Sequence, residues 1–324
     1  MILQKAFRER PAKNAIPRSA EKPSDFLAGV EIIDGGVSIS GTAVTADTSR
    51  NIATAYRCIN VLSDDVAKLP LQTFVSRGIG QIERVKPSSM LQNISWLLEV
   101  SPNRWMTPLV FKKLAIQWLL TTGAAYIWLP PRRPGRQNEL FILPSTYTRA
   151  KLDENGQLYY EVTIPGREPD KYPDVEVLSL LINSMDGITG RSVIGYAKDT
   201  MGRQLSNYKT QNKIAGKGLN PSGIAWMNGE LSKEARGKVR EAYEEAMNES
   251  GIAVFDNKTT KFESITMKPT DAQFLESITE NDVQISNFFG VPLYKLNQGK
   301  QSYQSNEQQN LDYLNTTLDP YLVQ

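Results

Sequence analysis

The stretch from Pro269 to Pro320 constrains the fold most, because it alternates helix, break, polar loop and helix. In its first half Leu275, Ile278, Ile285 and Phe289 recur at helical spacing and form one apolar stripe. Gln273, Glu276, Glu280, Gln284 and Asn287 fall on a different, wholly polar face. Gly290-Val-Pro292 ends the helix, since glycine permits a left-handed cap and proline cannot continue the hydrogen-bond ladder. Asn297-Gln-Gly-Lys-Gln-Ser302 follows, with no apolar residue and a flexible Gly299. A second helix is predicted from Ser302 or Ser305, with Glu307 placed to help cap it, running to Pro320. Taken alone, an amphipathic helix followed by a polar loop is ordinary protein surface.

The rest of the chain limits what that stretch can serve. With 324 residues there is room for two domains or one body with large excursions. No apolar run reaches the roughly 18 residues of a membrane span. The N-terminus lacks the hydrophobic core of a signal peptide. A single cysteine, Cys58, excludes an intrachain disulfide, fits a reducing compartment and is expected to be buried as a small apolar residue. There is no histidine. That removes His-based triads, His metal sites and any general acid or base with an unperturbed pKa near neutrality. The net charge of +2 carries no bulk affinity for nucleic acid, so a DNA-related role must rest on local charge.

In chain order, residues 1–48 read as an arm, basic at its start (Lys5, Arg8, Arg10, Lys13, Arg18) and more simply a solvated tail. A helix is predicted over Ser49 to Leu69 from Ile52, Ala55, Ile59, Leu62, Val66 and Leu69, capped by Asp47 or Thr48 and stopped by Pro70. Asp64-Asp65 is the only adjacent carboxylate pair on it, but no third ligand lies near, so no metal is expected. A hairpin pairs Leu71–Val75 with Gln81–Val85, and a helix from Met106-Thr107 to Thr122 hands over at Gly123 to a strand from Ala124 to Leu129. Further strands are expected at Leu140–Leu143, Leu158–Ile164 and Val175–Ile182, which makes an α+β body ending near Asn183.

Gly190 and Gly195 with Lys198 superficially suggest a phosphate loop, but Tyr196-Ala197 follows Gly195 where Lys-Ser/Thr is required, so nucleotide binding is not expected. A helix over 192–218 carries Lys209, Lys213 and Lys217 at i, i+4 and i+8, one basic stripe whose simplest reading is a solvated or partner-facing surface. The helix opening at Pro269 is acidic, and antiparallel pairing of the two would set opposite charges together. Between them lie strands at Ser222–Met227, Ile252–Phe255 and Phe262–Thr266 and a helix at Ser232–Asn248. This insert is too small for an enzyme core of its own.

Several of these motifs, in this order, resemble the phage portal family of HK97 type. They are Leu69-Pro-Leu71, the Pro102-Asn103 turn with its helix and Gly-initiated strand, Asp186-Gly…Gly190-Arg-Ser192, Phe289-Gly-Val-Pro292, Ser302-Tyr-Gln-Ser-Asn-Glu-Gln308 and Thr317-Leu-Asp-Pro320. The resemblance spans about Val37 to Pro320. It implies an α+β wing body at 49–187, stem helices at 188–218 and 269–292, a small α/β clip at 219–268, a tunnel loop at 293–304 and a returning helix at 305–324. Family members continue into a crown that this chain, stopping at Gln324, is expected to lack or carry truncated.

It further implies a homo-oligomeric ring, usually a dodecamer, at one capsid vertex of the virion, assembled in the host cytoplasm. Double-stranded DNA, the large terminase subunit, capsid or scaffolding protein and a head–tail connector are the implied partners, with no membrane, cofactor or catalytic residue. A conduit must touch DNA without gripping it, and each lysine–phosphate contact adds affinity that a ring multiplies. Gln273, Glu276, Glu280, Gln284 and Asn287 are therefore expected to line the channel. Lys295, Asn297, Gln298, Gly299, Lys300, Gln301 and Ser302 are expected to face DNA, with Lys300 and Lys295 supplying the limited positive charge. The alternatives are a capsid or head–tail adaptor module and, less favoured by the scattered acids, a DNA-processing enzyme.

Overall fold

The computed structural model describes residues 36–78, 81–88, 94–131, 138–217, 223–227, 233–234, 237, 241, 259–264, 271–297 and 306–323. The chain divides into two compact units, residues 1–202 with 282–324, and residues 203–281.

The first unit opens with a two-residue pairing of β1 (Gly36–Val37) and β2 (Ala43–Val44). A one-turn helix α1 (Ala46–Ser49) follows, closed by a capping box between Thr45 and Thr48. The helix expected from Ser49 is thus broken at Arg50-Asn51, and α2 (Ala53–Lys68) starts afresh. Most of its apolar stripe holds: Ile52, Ala55, Ile59 and Leu62 are buried, as is Cys58, whereas Val66 is half-buried and Leu69, at the end of the helix, is exposed. Next come the antiparallel hairpin β3 (Phe74–Gly78) and β4 (Gln81–Arg84), then the short helix α3 (Ile94–Glu99). Thr107 accepts the Val110 N–H to cap α4 (Pro108–Thr122), and Gly123 ends it in the left-handed region. Helices α2 and α4 pack together, and Lys113 of α4 pairs with Asp64 of α2 at 2.7 Å.

Two three-stranded antiparallel sheets follow. One orders β10 (Val177–Leu181), β5 (Ala124–Trp128) and β6 (Phe141–Leu143); the other orders β7 (Thr148–Leu152), β8 (Leu158–Val162) and β9 (Asp170–Pro173). They share one core, in which Ala124, Tyr126, Leu143 and Val177 of the first meet Ala150, Tyr160 and Val162 of the second. Tyr126 and Tyr160 lie 5.1 Å apart, a tilted aromatic contact.

The entry to the long helix α5 (Val193–Lys217) explains the Asp186-Gly…Gly190-Arg-Ser192 motif. Asp186 accepts the N–H groups of Ile188 and Thr189 and closes a tight turn. Partial burial works against its charge, but bonds from Thr189, Ile188 and Ser184 outweigh this and hold it below the usual carboxylate range. Gly190 then crosses Gly123 so closely that a Cβ on Gly190 would sit 1.9 Å from the Gly123 carbonyl oxygen. Ser192, fully buried, donates to the Thr121 carbonyl at 2.6 Å and accepts the Ile194 N–H at 3.0 Å, fastening the start of α5 to the end of α4.

The second unit carries the rest of α5, an antiparallel pair β11 (Gly223–Met227) and β12 (Thr259–Ser264), and the start of α6 (Asp271–Phe289). Lys233, Glu234, Gly237 and Glu241 are helical within the expected 232–248 helix; the rest of it, and the strand at Ile252–Phe255, lie outside the described residues. The last elements return to the first unit. Helix α7 (Asn306–Tyr313) runs through a π-helical segment, Leu314–Leu318, into α8 (Asp319–Leu322). The helix expected to stop at Pro320 therefore passes it, because Pro320 takes a first-turn position in α8 where its missing N–H costs nothing.

Candidate functional site

Helix α6 shows part of the two faces expected of it: Ile278 is half-buried, and the Leu275 side chain lies outside the described residues. Ile285 and Phe289 are buried, whereas Glu280 and Asn287 are exposed. Gln284, on the edge of the polar face, is half-buried, and its Oε1 accepts from Thr200 Oγ1 of α5 at 3.4 Å. Gln273 and Glu276 are helical, but their side chains lie outside the described residues. In the second unit Asn281 Nδ2 donates to Gln204 Oε1 at 3.1 Å, with both residues buried. The Thr200–Gln284 bond lies in the first unit and the Asn281–Gln204 bond in the second. Both join uncharged groups. Asp282 of α6 accepts from Thr54 Oγ1 of α2 at 2.5 Å.

Lys209 is exposed on α5; Lys213 and Lys217 continue the helix, with side chains outside the described residues. Gly290 closes α6 at φ +66°, with the Val291 N–H reaching back to the Ser286 carbonyl at 3.0 Å. Thr317 Oγ1 donates to the Gly290 carbonyl at 2.8 Å, so the π-helical segment holds the end of α6. Pro292 then opens a 3₁₀ turn, Leu293–Leu296, that Asn297 closes in the left-handed region. Gln298, Gly299, Lys300, Gln301 and Ser302, with both predicted starts of the last helix, lie outside the described residues.

Lys295 sits differently from the sequence expectation. Its ammonium lies 3.9 Å from Asp65 Oδ2 and 4.6 Å from the centre of the Tyr313 ring, and its side chain is only 28% exposed. Tyr313 OH donates to the same Asp65 oxygen at 3.2 Å, and Tyr294 OH donates to the Gln309 carbonyl at 2.9 Å. Burial first, and the Asp65 charge second, push the Tyr313 phenol far above its usual range, so it remains a donor. Sequence reasoning missed Asp65 as a structural partner because it took Asp64-Asp65 as a pair. Consecutive helical residues point about 100° apart, which was the available signal. Asp64 accordingly turns to Lys113 and Asp65 to Lys295 and Tyr313. Among the described residues no cluster of acids and cysteine could hold a metal, and no helix is long and apolar enough to cross a membrane.

The phage portal protein family model matches residues 53–324. A probable portal protein of Streptomyces phage phiC31 is 24% identical over 307 residues, covering 89% of this chain and 65% of that relative. The chain thus spans slightly under two thirds of the relative's length. The fold matches the crystal structure of an HK97 family phage portal protein from Corynebacterium diphtheriae with a TM-score of 0.61 at 15% identity, covering 84% of this chain and 86% of that one. It also matches a chain from the neck of a native gene transfer agent particle computed with C12 symmetry, with a TM-score of 0.57 at 17% identity and coverage of 93% and 78%.

Proposed function

The chain belongs to the phage portal protein family, and from that premise we propose that it assembles as a homo-oligomeric ring, a dodecamer, at one vertex of a virion capsid. Double-stranded DNA passes through the ring during packaging and again during ejection. The match of the family model over 53–324 carries this reading; the C12 symmetry of the neck particle that holds a similar fold supports the ring number. The large terminase subunit, capsid or scaffolding protein and a head–tail connector are the partners, and assembly takes place in the host cytoplasm. No chemical step is assigned to the chain.

Within the ring, α5 and α6 form the stem and residues 293–304 the tunnel loop. Glu280 and Asn287, with Gln273, Glu276 and Gln284 on the same helical face, line the channel with acids and amides that do not hold phosphate. Lys300 supplies the positive charge of the loop. Lys295 contributes more weakly, because Asp65 and Tyr313 already engage its ammonium. Negative-stain microscopy of the purified chain tests the ring, which should appear with a central hole. A persistent monomer that cleaves DNA with a metal ion would overturn the reading. Lys300→Ala tests the loop: rings should still form, while DNA packaging or retention changes. If Lys300→Ala and a shortened loop both package like the natural chain, the loop assignment fails.

A further inference from the structure

Asp65 belongs to α2, yet its carboxylate meets the chain on both sides of residues 298–305. Before them, Lys295 in the 3₁₀ turn brings its ammonium to 3.9 Å. After them, Tyr313 at the end of α7 donates its hydroxyl at 3.2 Å. Lys295 also lies over the Tyr313 ring, so the three groups form a closed triangle. Tyr294 makes a further cross-tie through the Gln309 carbonyl. The remaining contact of Asp65, to Lys68 at 3.4 Å, is local to α2 and largely exposed. Asp64, one residue away on the same helix, faces α4 through Lys113 and has no part in the triangle.

We propose that Asp65 is a positioning residue that fixes the two flanks, at Lys295 and Tyr313, from which the tunnel loop departs. This inference rests on the reading of 293–304 as a loop presented to DNA. A single carboxylate holding both flanks keeps their separation and direction constant. Every copy in a ring then holds Lys295 and Tyr313 in the same position against α2. Neutral Asn at position 65 can still accept from Tyr313, but it loses the attraction to Lys295.

Hydrogen exchange on the assembled chain tests the clamp, with Asp64→Asn as the matched control on the same helix. Asp65→Asn should speed exchange in 293–297 and 306–313 by about fivefold, and Asp64→Asn should leave both segments unchanged. Tyr313→Phe should reproduce the effect on 306–313 and, combined with Asp65→Asn, add little to it. Equal acceleration by the two aspartate variants, or none from Asp65→Asn, overturns the proposal. The clamp and the loop's DNA role fail separately. Faster exchange with unchanged DNA retention supports the clamp and counts against the loop reading; faster exchange with reduced retention in Asp65→Asn rings of normal appearance supports both.

Discussion

The seam between α4 and the start of α5, and the inner contact between α5 and α6 in the second unit, solve the same task by opposite means. At the seam, backbone meets backbone: Gly190 lies on Gly123 with no room for a methyl group, and Ser192 closes the gap with a bond to Thr121. In the second unit the buried contact is an amide pair, Asn281 on Gln204. Shape specifies the first, with no alternative partner that could substitute. Direction specifies the second, because an amide finds its bond at only one register along the helices. A shape-based joint is rigid and intolerant of change, whereas an amide joint costs little to re-form and tolerates exchange in pairs.

The largest effect should come from adding one carbon at the seam. In Gly190→Ala the Cβ would have to displace the Gly123 carbonyl, which is backbone already bonded to the Ile182 N–H. A loss of about 3 kcal/mol or more is expected, seen as a large fall in thermal midpoint or in soluble yield. A Gly190→Ala chain that melts within a few degrees of the natural one would break the contrast, since the seam would then be yielding.

The amide joint should respond more mildly and in pairs. Asn281→Leu removes the donor to Gln204 Oε1 and should cost about 1–3 kcal/mol in chemical denaturation. Adding Gln204→Leu should recover part of that loss, because the Asn281–Gln204 pair is then removed as a unit, less the bond that Gln204 Nε2 donates to Tyr208 OH at 3.2 Å. If the double variant is worse by the sum of the two single ones, the pair is not coupled and direction is not what holds it.

The sequence makes some of this visible and hides the rest for physical reasons. The apolar stripes of α2 and α6 are legible because Ile52, Ile59, Leu62, Ile285 and Phe289 repeat at helical spacing and are in fact buried. Strand β7 is not, because its core-facing residues are the small Thr148 and Ala150, which carry little hydrophobic signal. Strand β9 ends in Pro173 and opens with Asp170-Lys171, an edge-strand composition that reads as a loop. The seam is half legible: Gly190 and Ser192 stand out in a motif, but nothing local points to Gly123 and Thr121, 67 and 71 residues earlier. The attachment of Lys295 is invisible for the same reason, since Asp65 is 230 positions away and a free loop lysine is the simplest local reading.

The smallest effect at neutral pH should come from Cys58, which belongs to neither joint and is buried on α2. Burial first, and the nearby Asp282 carboxylate second, raise its thiol from 9.0 to about 12. A raised folded-state pKa means the folded chain binds this proton more tightly than the unfolded one. The associated stability is therefore complete below about pH 9 and disappears as pH rises toward 12. Cys58→Ala should cost about 1 kcal/mol near neutrality and flatten part of the alkaline decline. The raised phenols of Tyr172, Tyr294, Tyr313 and Tyr321 would leave a residual slope of the same sign. Thiol reagents at pH 8 should label Cys58 only after unfolding. Rapid labelling of the folded chain would show that α2 opens beneath α6.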